Sequence, residues 1–283
     1  MRAAGLRFAA RKGVNVLMLA LSAASALFGI FWLVWILKVL VAKGLPAINW
    51  SFFTHLPAPP GDPSGGMANA IVGTLVLTAL ATFVGVPVGV MAGTYLAEYG
   101  RSTALGKVVR FVSDILISAP SIVVGVFVYA LLVKPMHSFS GLAGGIALAI
   151  IMIPVVTRTT EEMLNLVPDT LREAALALGA PYWKVVLKIC YRRVLGGVTT
   201  GILLAVARVS GETAPLLFTS LNNPYWNFNL LHPTGTLNVT LFNYAMSPYD
   251  DWRAKAWGAA LLITLFVLIT TILARIVVQR TKS

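Results

Sequence analysis

Two ionisable side chains interrupt a stretch that is otherwise almost wholly apolar: Arg208 and Glu212, within Ala205-Val-Ala-Arg-Val-Ser-Gly-Glu-Thr-Ala-Pro-Leu-Leu-Phe218. A spacing of four puts them on one helix face, close enough to pair. Each costs about 2.5–3.5 kcal/mol at a bilayer centre on insertion scales, so neither should face lipid. A guanidinium donates through a rigid planar fork that suits carboxylate or phosphate oxygens. The pair therefore reads as a transient anion site in which Glu212 keeps Arg208 partnered between passages. The alternative is an ion pair that only joins helices. Arg158, at the end of another apolar run, is a third candidate, although a residue there also snorkels readily to an interface.

A second group of residues is built for contact rather than for chemistry. Glu173, Ala174 and Ala175 are followed after three residues by Gly179, and Pro181 comes two residues later. Glu and Ala favour a helix, Gly179 tolerates the positive φ of a helix stop, and Pro181 suits a chain that has left the helix. Short side chains let another surface approach the backbone closely. The segment 170–193, polar and then basic up to Arg193, is thus expected to be a docking loop; an ordinary amphipathic surface helix is the plainer alternative.

These residues must be positioned by membrane helices. The chain has 283 residues, 58% apolar and 11% charged, with a mean hydropathy of +0.82, which places it among polytopic membrane proteins. Apolar runs predict six spans at about 14–37, 69–95, 108–132, 142–157, 194–220 and 256–278, an all-α single domain. The first has a basic start and Ala24-Ser25-Ala26 resembles a cleavage site, but the apolar run continues past it and is read as an uncleaved span. Gly85, Gly89 and Gly93 share one face of the second span and predict close helix contact. Pro120 predicts a kink in the third. The long loop 221–252 carries Tyr225, Trp226, Phe228, Tyr244, Tyr249 and Trp252, and reads as a packed outer cap that docks a partner or as an interfacial aromatic belt.

Charge sets the orientation. Sixteen of the twenty-two lysines and arginines fall on the side that holds both termini, the loop after the second span and the 170–193 loop, so that side is read as cytoplasmic. The net charge of +12 thus lines a membrane face and implies lipid rather than nucleic acid as its neighbour. Gly100-Arg-Ser-Thr-Ala-Leu-Gly-Lys107 mimics a phosphate-binding Walker loop but has five residues between its glycines, and Val108 where Ser or Thr would hold magnesium. The lone Cys190 excludes an internal disulfide. His55, His137 and His232 lie in separate loops, which argues against a membrane phosphatase or transferase. A secondary transporter would show paired halves or several intramembrane acids, and neither is evident.

The spacing Glu-Ala-Ala, three residues, Gly, nine residues, Ile189 resembles the coupling loop of ABC importer permeases, departing from it at Tyr191 and Arg192, where that signature has Leu-Pro. The Arg208–Glu212 stretch is similar to the signature of phosphate ABC importer permeases, of PstA type rather than PstC type. Met91-Ala-Gly-Thr-Tyr-Leu-Ala-Glu-Tyr-Gly100, Asp114-Ile-Leu-Ile-Ser-Ala-Pro-Ser-Ile-Val-Val-Gly125 and Arg158-Thr-Thr-Glu-Glu-Met-Leu-Asn-Leu-Val-Pro168 agree. The resemblance implies a type I importer permease fold and a bacterial inner membrane. It also implies a half-pore for inorganic phosphate that works with a related PstC-type permease, a PstB-type ATPase dimer and a periplasmic PstS-type phosphate-binding protein. ATP and magnesium would be bound by the ATPase, with no cofactor in this chain. It implies that Glu173, Ala174, Ala175 and Gly179 couple to that ATPase. A permease for another oxyanion, molybdate or sulfate, shares the fold and the loop.

Overall fold

The computed structural model describes the backbone of residues 2–62 and 64–282 and the side chains of 11–62 and 64–276. Of the basic residues that set the expected orientation, Arg2, Arg7, Arg280 and Lys282 lie outside the described side chains. All the regular structure of the described residues is helical, without a strand.

Helix α1 (Arg2–Gly44) stands almost apart. Every residue from 11 to 38 is exposed, and contact with the rest begins only at Leu40 and at Gly44, whose backbone meets Trp257 and Leu261. A short helix, α2 (Trp50–Thr54), is capped by Asn49, whose side chain accepts from the Phe52 N–H at 2.9 Å. The chain then folds back to start α3 (Ala68–Glu98).

The core is α3 packed along α6 (Gly141–Asn165). Gly85, Gly89 and Gly93 face α6 as their spacing predicts. A Cβ at Gly89 would lie 2.7 Å from that of Val156, and one at Gly93 would lie 2.5 Å from the Thr157 carbonyl oxygen. Only glycine allows that approach. Leu77, Ala81, Leu148, Met152 and Val156 fill the seam.

Between them lie α4 (Ala104–Ser118), capped by Thr103 through the Gly106 N–H at 3.0 Å, and α5 (Ser121–Met136). A single kinked helix was expected over 108–132. Instead the chain turns by 107° at Ala119–Pro120. Pro120 removes a donor and forces Ala119 into extended backbone. The direction of the turn is then set by packing of α5 on α9 (Ala214–Thr219), where Gly125 lies so close to Pro215 that a Cβ would come within 2.6 Å of its Cα.

After α6 come α7 (Asp169–Ala177) and α8 (Tyr182–Ser210). Part of α8, Val185–Cys190, is a π-helical turn. The expected helix over 194–220 also breaks: α8 ends at Ser210 and α9 starts at Ala214. Pro215, in the first turn of α9, suits a helix start and not a helix interior. Asn238 of α10 (Leu237–Ala245) caps the break, its side-chain amide donating to the carbonyls of Ser210 at 2.8 Å and Glu212 at 2.9 Å. Those carbonyls would otherwise be orphaned at a buried helix end. The last helix, α11 (Asp250–Lys282), packs on α8 and α10. The loop before α10 is ordered by Asn223 and Asn227, whose side chains donate to the Pro233 carbonyl at 3.0 and 2.9 Å, and by the stacked rings of Trp226 and Phe228.

Candidate coupling loop and anion path

Pro168 and the first-turn Asp169 start α7, and Gly179 ends it at φ +77°. Both choices follow from backbone chemistry: proline needs no donor at a helix start, and glycine enters the left-handed region without a Cβ penalty. The helix has two unlike faces. Glu173, Ala174 and Gly179 look outward, and a Cβ at Gly179 would meet no atom of this chain within 4 Å. Ala175 does not belong with them. It is 7% exposed and packs with Leu164, Val185 and Cys190, so of the small residues expected to contact a partner it faces this chain's own core. The outward residue that composition did not single out is Leu178, 89% exposed at the tip of the loop.

The inward face carries Arg172, 5% exposed. Its Nε and Nη2 donate to the two oxygens of Glu98 at 3.2 and 2.8 Å. Nη2 also donates to the Leu164 carbonyl at 2.8 Å, and Nη1 donates to the Val167 carbonyl and to Asp169 at 3.0 Å. Tyr182 donates its hydroxyl to Glu98 at 2.8 Å. Burial by itself disfavours the charged guanidinium, but the hydrogen-bonded Glu98 carboxylate outweighs it and Arg172 is held above its ordinary value. Arg110 makes a similar link, donating to Glu161 at 2.6 Å and to the Leu96 carbonyl at 2.9 Å. Neither arginine was singled out in the sequence. The available signal was a carboxylate, Glu98, closing an apolar helix, with arginines in the loops that follow.

The charged pair behaves differently from its expected form. Among the described residues no ion pair joins Arg208 to Glu212 or to any other carboxylate. The helix that would have stacked them ends at Ser210, and the Glu212 N–H turns back to the Val209 carbonyl at 3.1 Å, so the two no longer follow α-helical spacing. Arg208 is exposed at the end of α8, and Glu212 is half-buried in the break. Arg158 is engaged instead of free: it bridges Asp114 of α4 at 3.0 Å and Glu162 of its own helix at 2.7 Å. Two of its donors are thus held by carboxylates, so an anion reaching Arg158 would have to share it with Asp114 and Glu162.

Along α8, Arg193, Gly197, Gly201, Leu204 and Arg208 recur at three and four residues and so share a face. All but Arg208 line a groove of about 700 Å³ against α6, together with Thr159, Met163 and Thr200. Thus a guanidinium sits at the groove's start and a second lies one turn past its end. Walker-like residues 100–107 hold no nucleotide loop; they form the Thr103-capped start of α4.

Residues 85–283 match the family of binding-protein-dependent transport system inner membrane components. The chain is 53% identical over 272 residues to a Yersinia pestis protein called phosphate transport system permease protein PstA, covering 96% of this chain and 92% of that one. A Haemophilus influenzae protein of the same name is 51% identical, covering 98% of both. In fold it is similar to a chain of the MetNI methionine ABC transporter solved in inward-facing conformations, with a TM-score of 0.64 at 19% identity over 76% of this chain and 95% of that one. Helical architecture, sequence and fold agree: the chain belongs to the binding-protein-dependent transport system inner membrane components, has the type I ABC importer permease fold, and is a multi-pass transport component rather than an enzyme.

Proposed function

We propose that this chain forms one half of the pore of an ATP-driven importer that carries inorganic phosphate into the cytoplasm. The observation that carries the reading is its 53% identity, over nearly all its length, to a protein named as a phosphate transport permease. The arginines on the α8 face give that reading a chemistry. Phosphate needs transient charge compensation in a low-dielectric passage, and Arg208 and Arg193 present forks that no carboxylate occupies among the described residues. Arg208 offers charge at the outer end of the α8 face and Arg193 at the loop end, without a closed cage that would trap the ion.

In this reading both termini and the loop 170–193 are cytoplasmic, as the distribution of basic residues supports. Leu178, Glu173, Ala174 and Gly179 then dock on a PstB-type ATPase, which binds ATP and magnesium. A PstC-type permease supplies the other half-pore, and a PstS-type binding protein delivers phosphate at the outer cap formed by residues 221–252.

The test is reconstitution of the four-component complex in proteoliposomes with labelled phosphate. ATP-dependent uptake that excess sulfate and molybdate leave intact is the expected result. Uptake displaced equally by molybdate or sulfate would overturn the substrate assignment.

A further inference from the structure

We infer that Arg172 is a positioning residue for energy coupling: through Glu98 and the α6 terminus it makes the coupling helix move as one body with α3 and α6. The inference rests on the importer reading above.

The geometry is unusually complete. A guanidinium has five N–H donors, and each of Arg172's five finds an acceptor: two Glu98 oxygens, the Leu164 and Val167 carbonyls, and Asp169. Three elements meet at this one side chain. Arg172 belongs to α7, Glu98 ends α3, and Leu164 and Val167 lie at the end of α6. The Glu98 side chain is fully buried and Arg172 is 7% exposed on its side chain, so solvent does not screen the pair. Tyr182, at the start of α8, closes the cluster by donating to Glu98. The helix that presents Leu178 to the outside is therefore bolted on its opposite face to the two helices that pack as the core.

Such a clamp is not what stability alone asks for. Buried ion pairs are often replaceable by apolar residues of similar volume without loss of stability. What apolar packing lacks is directional bonding that resists sliding of α7 along α3 and α6. A push on the loop tip is then transmitted by the Arg172 fork rather than absorbed between α7 and the core.

The experiment compares phosphate transported per ATP hydrolysed in the reconstituted complex. The double variant Arg172→Met with Glu98→Met removes both charges and leaves neither orphaned. It is expected to assemble and hydrolyse ATP while phosphate per ATP falls roughly tenfold, a size usual for coupling between sites. A merely structural role would lower the amount of complex and scale uptake and hydrolysis together, so a wild-type ratio in the assembled double variant overturns the inference. If that variant does not assemble, Arg172→Lys decides, because it keeps the charge and loses the fork: a lowered ratio supports the clamp and an unchanged one refutes it. Absence of phosphate uptake by the wild-type complex would instead sink the importer reading, before any variant is compared.

Discussion

Leu178 provides the most quantitative test of the docking face. It is 89% exposed, so truncation to Ala removes almost nothing from the permease's own packing. If a partner buries it, Leu178→Ala loses about three buried carbon groups at about 0.8 kcal/mol each, or roughly 2 kcal/mol. That is roughly a thirty-fold weaker association, since about 1.4 kcal/mol is tenfold. The assay is rebinding of the ATPase subunit to stripped membranes carrying the permease and its partner, titrated to give Kd. Phe83→Ala is the control, because Phe83 is 80% exposed on α3, away from the loop. Leu178→Met should bind nearly as wild type. Equal Kd for Leu178→Ala, Phe83→Ala and wild type would refute the assignment of the α7 tip as the docking surface.

Other outcomes follow from the same geometry. Gly179→Ala and Gly179→Trp share the strain of positive φ, about 1–2 kcal/mol, and a Cβ at this position meets no atom of this chain. Only the Trp variant should lose ATPase co-purification, and equal retention by both would remove Gly179 from the interface. Arg208→Ala leaves no orphaned carboxylate partner, so it should insert and assemble while uptake falls. Arg208→Lys should recover less than charge alone predicts, and full uptake by the Ala variant would take Arg208 out of the path. Asn238→Ala strips two carbonyls at the α8–α9 break of their donor and should destabilise by about 1–3 kcal/mol, read as a lower Tm of the detergent-solubilised protein.

The sequence carried the apolar helices and their small-residue contacts plainly, because glycine spacing at 85, 89 and 93 can serve little else in a membrane helix. It also carried the loop's stop at Gly179. It could not carry the angle at Pro120, since proline ends a helix but the turn's direction depends on Gly125 meeting Pro215, ninety positions later in the chain. The Arg208–Glu212 pairing failed because i, i+4 logic assumes a continuous helix: Pro215 starts a new one, and the capping of the break by Asn238 comes from a distant element. Arg172 was hidden most thoroughly. A charged residue beside Glu-Ala-Ala reads as solvated, and its burial comes from Glu98, which lies 74 residues earlier.

The π-helical turn Val185–Cys190 lies between α7 and the part of α8 that carries Arg193 and Arg208. Its buried residues Val185 and Cys190 are five apart, a spacing that i→i+5 geometry brings together. In an α-helix five residues advance about 500°, which would leave them about 140° apart around the axis. Rewinding this turn as an α-helix with every residue kept would therefore rotate everything beyond it by about 100° and push it out by about 1.5 Å. Arg193 and Arg208 would swing together, off their present face. The register between the loop and the α8 arginines is thus set by an extra residue, as the pitch of a screw is set by its thread. A one-residue deletion within this turn, which takes out the extra residue and leaves both arginines near their present face, should therefore be less damaging than the same deletion in the regular part of α8.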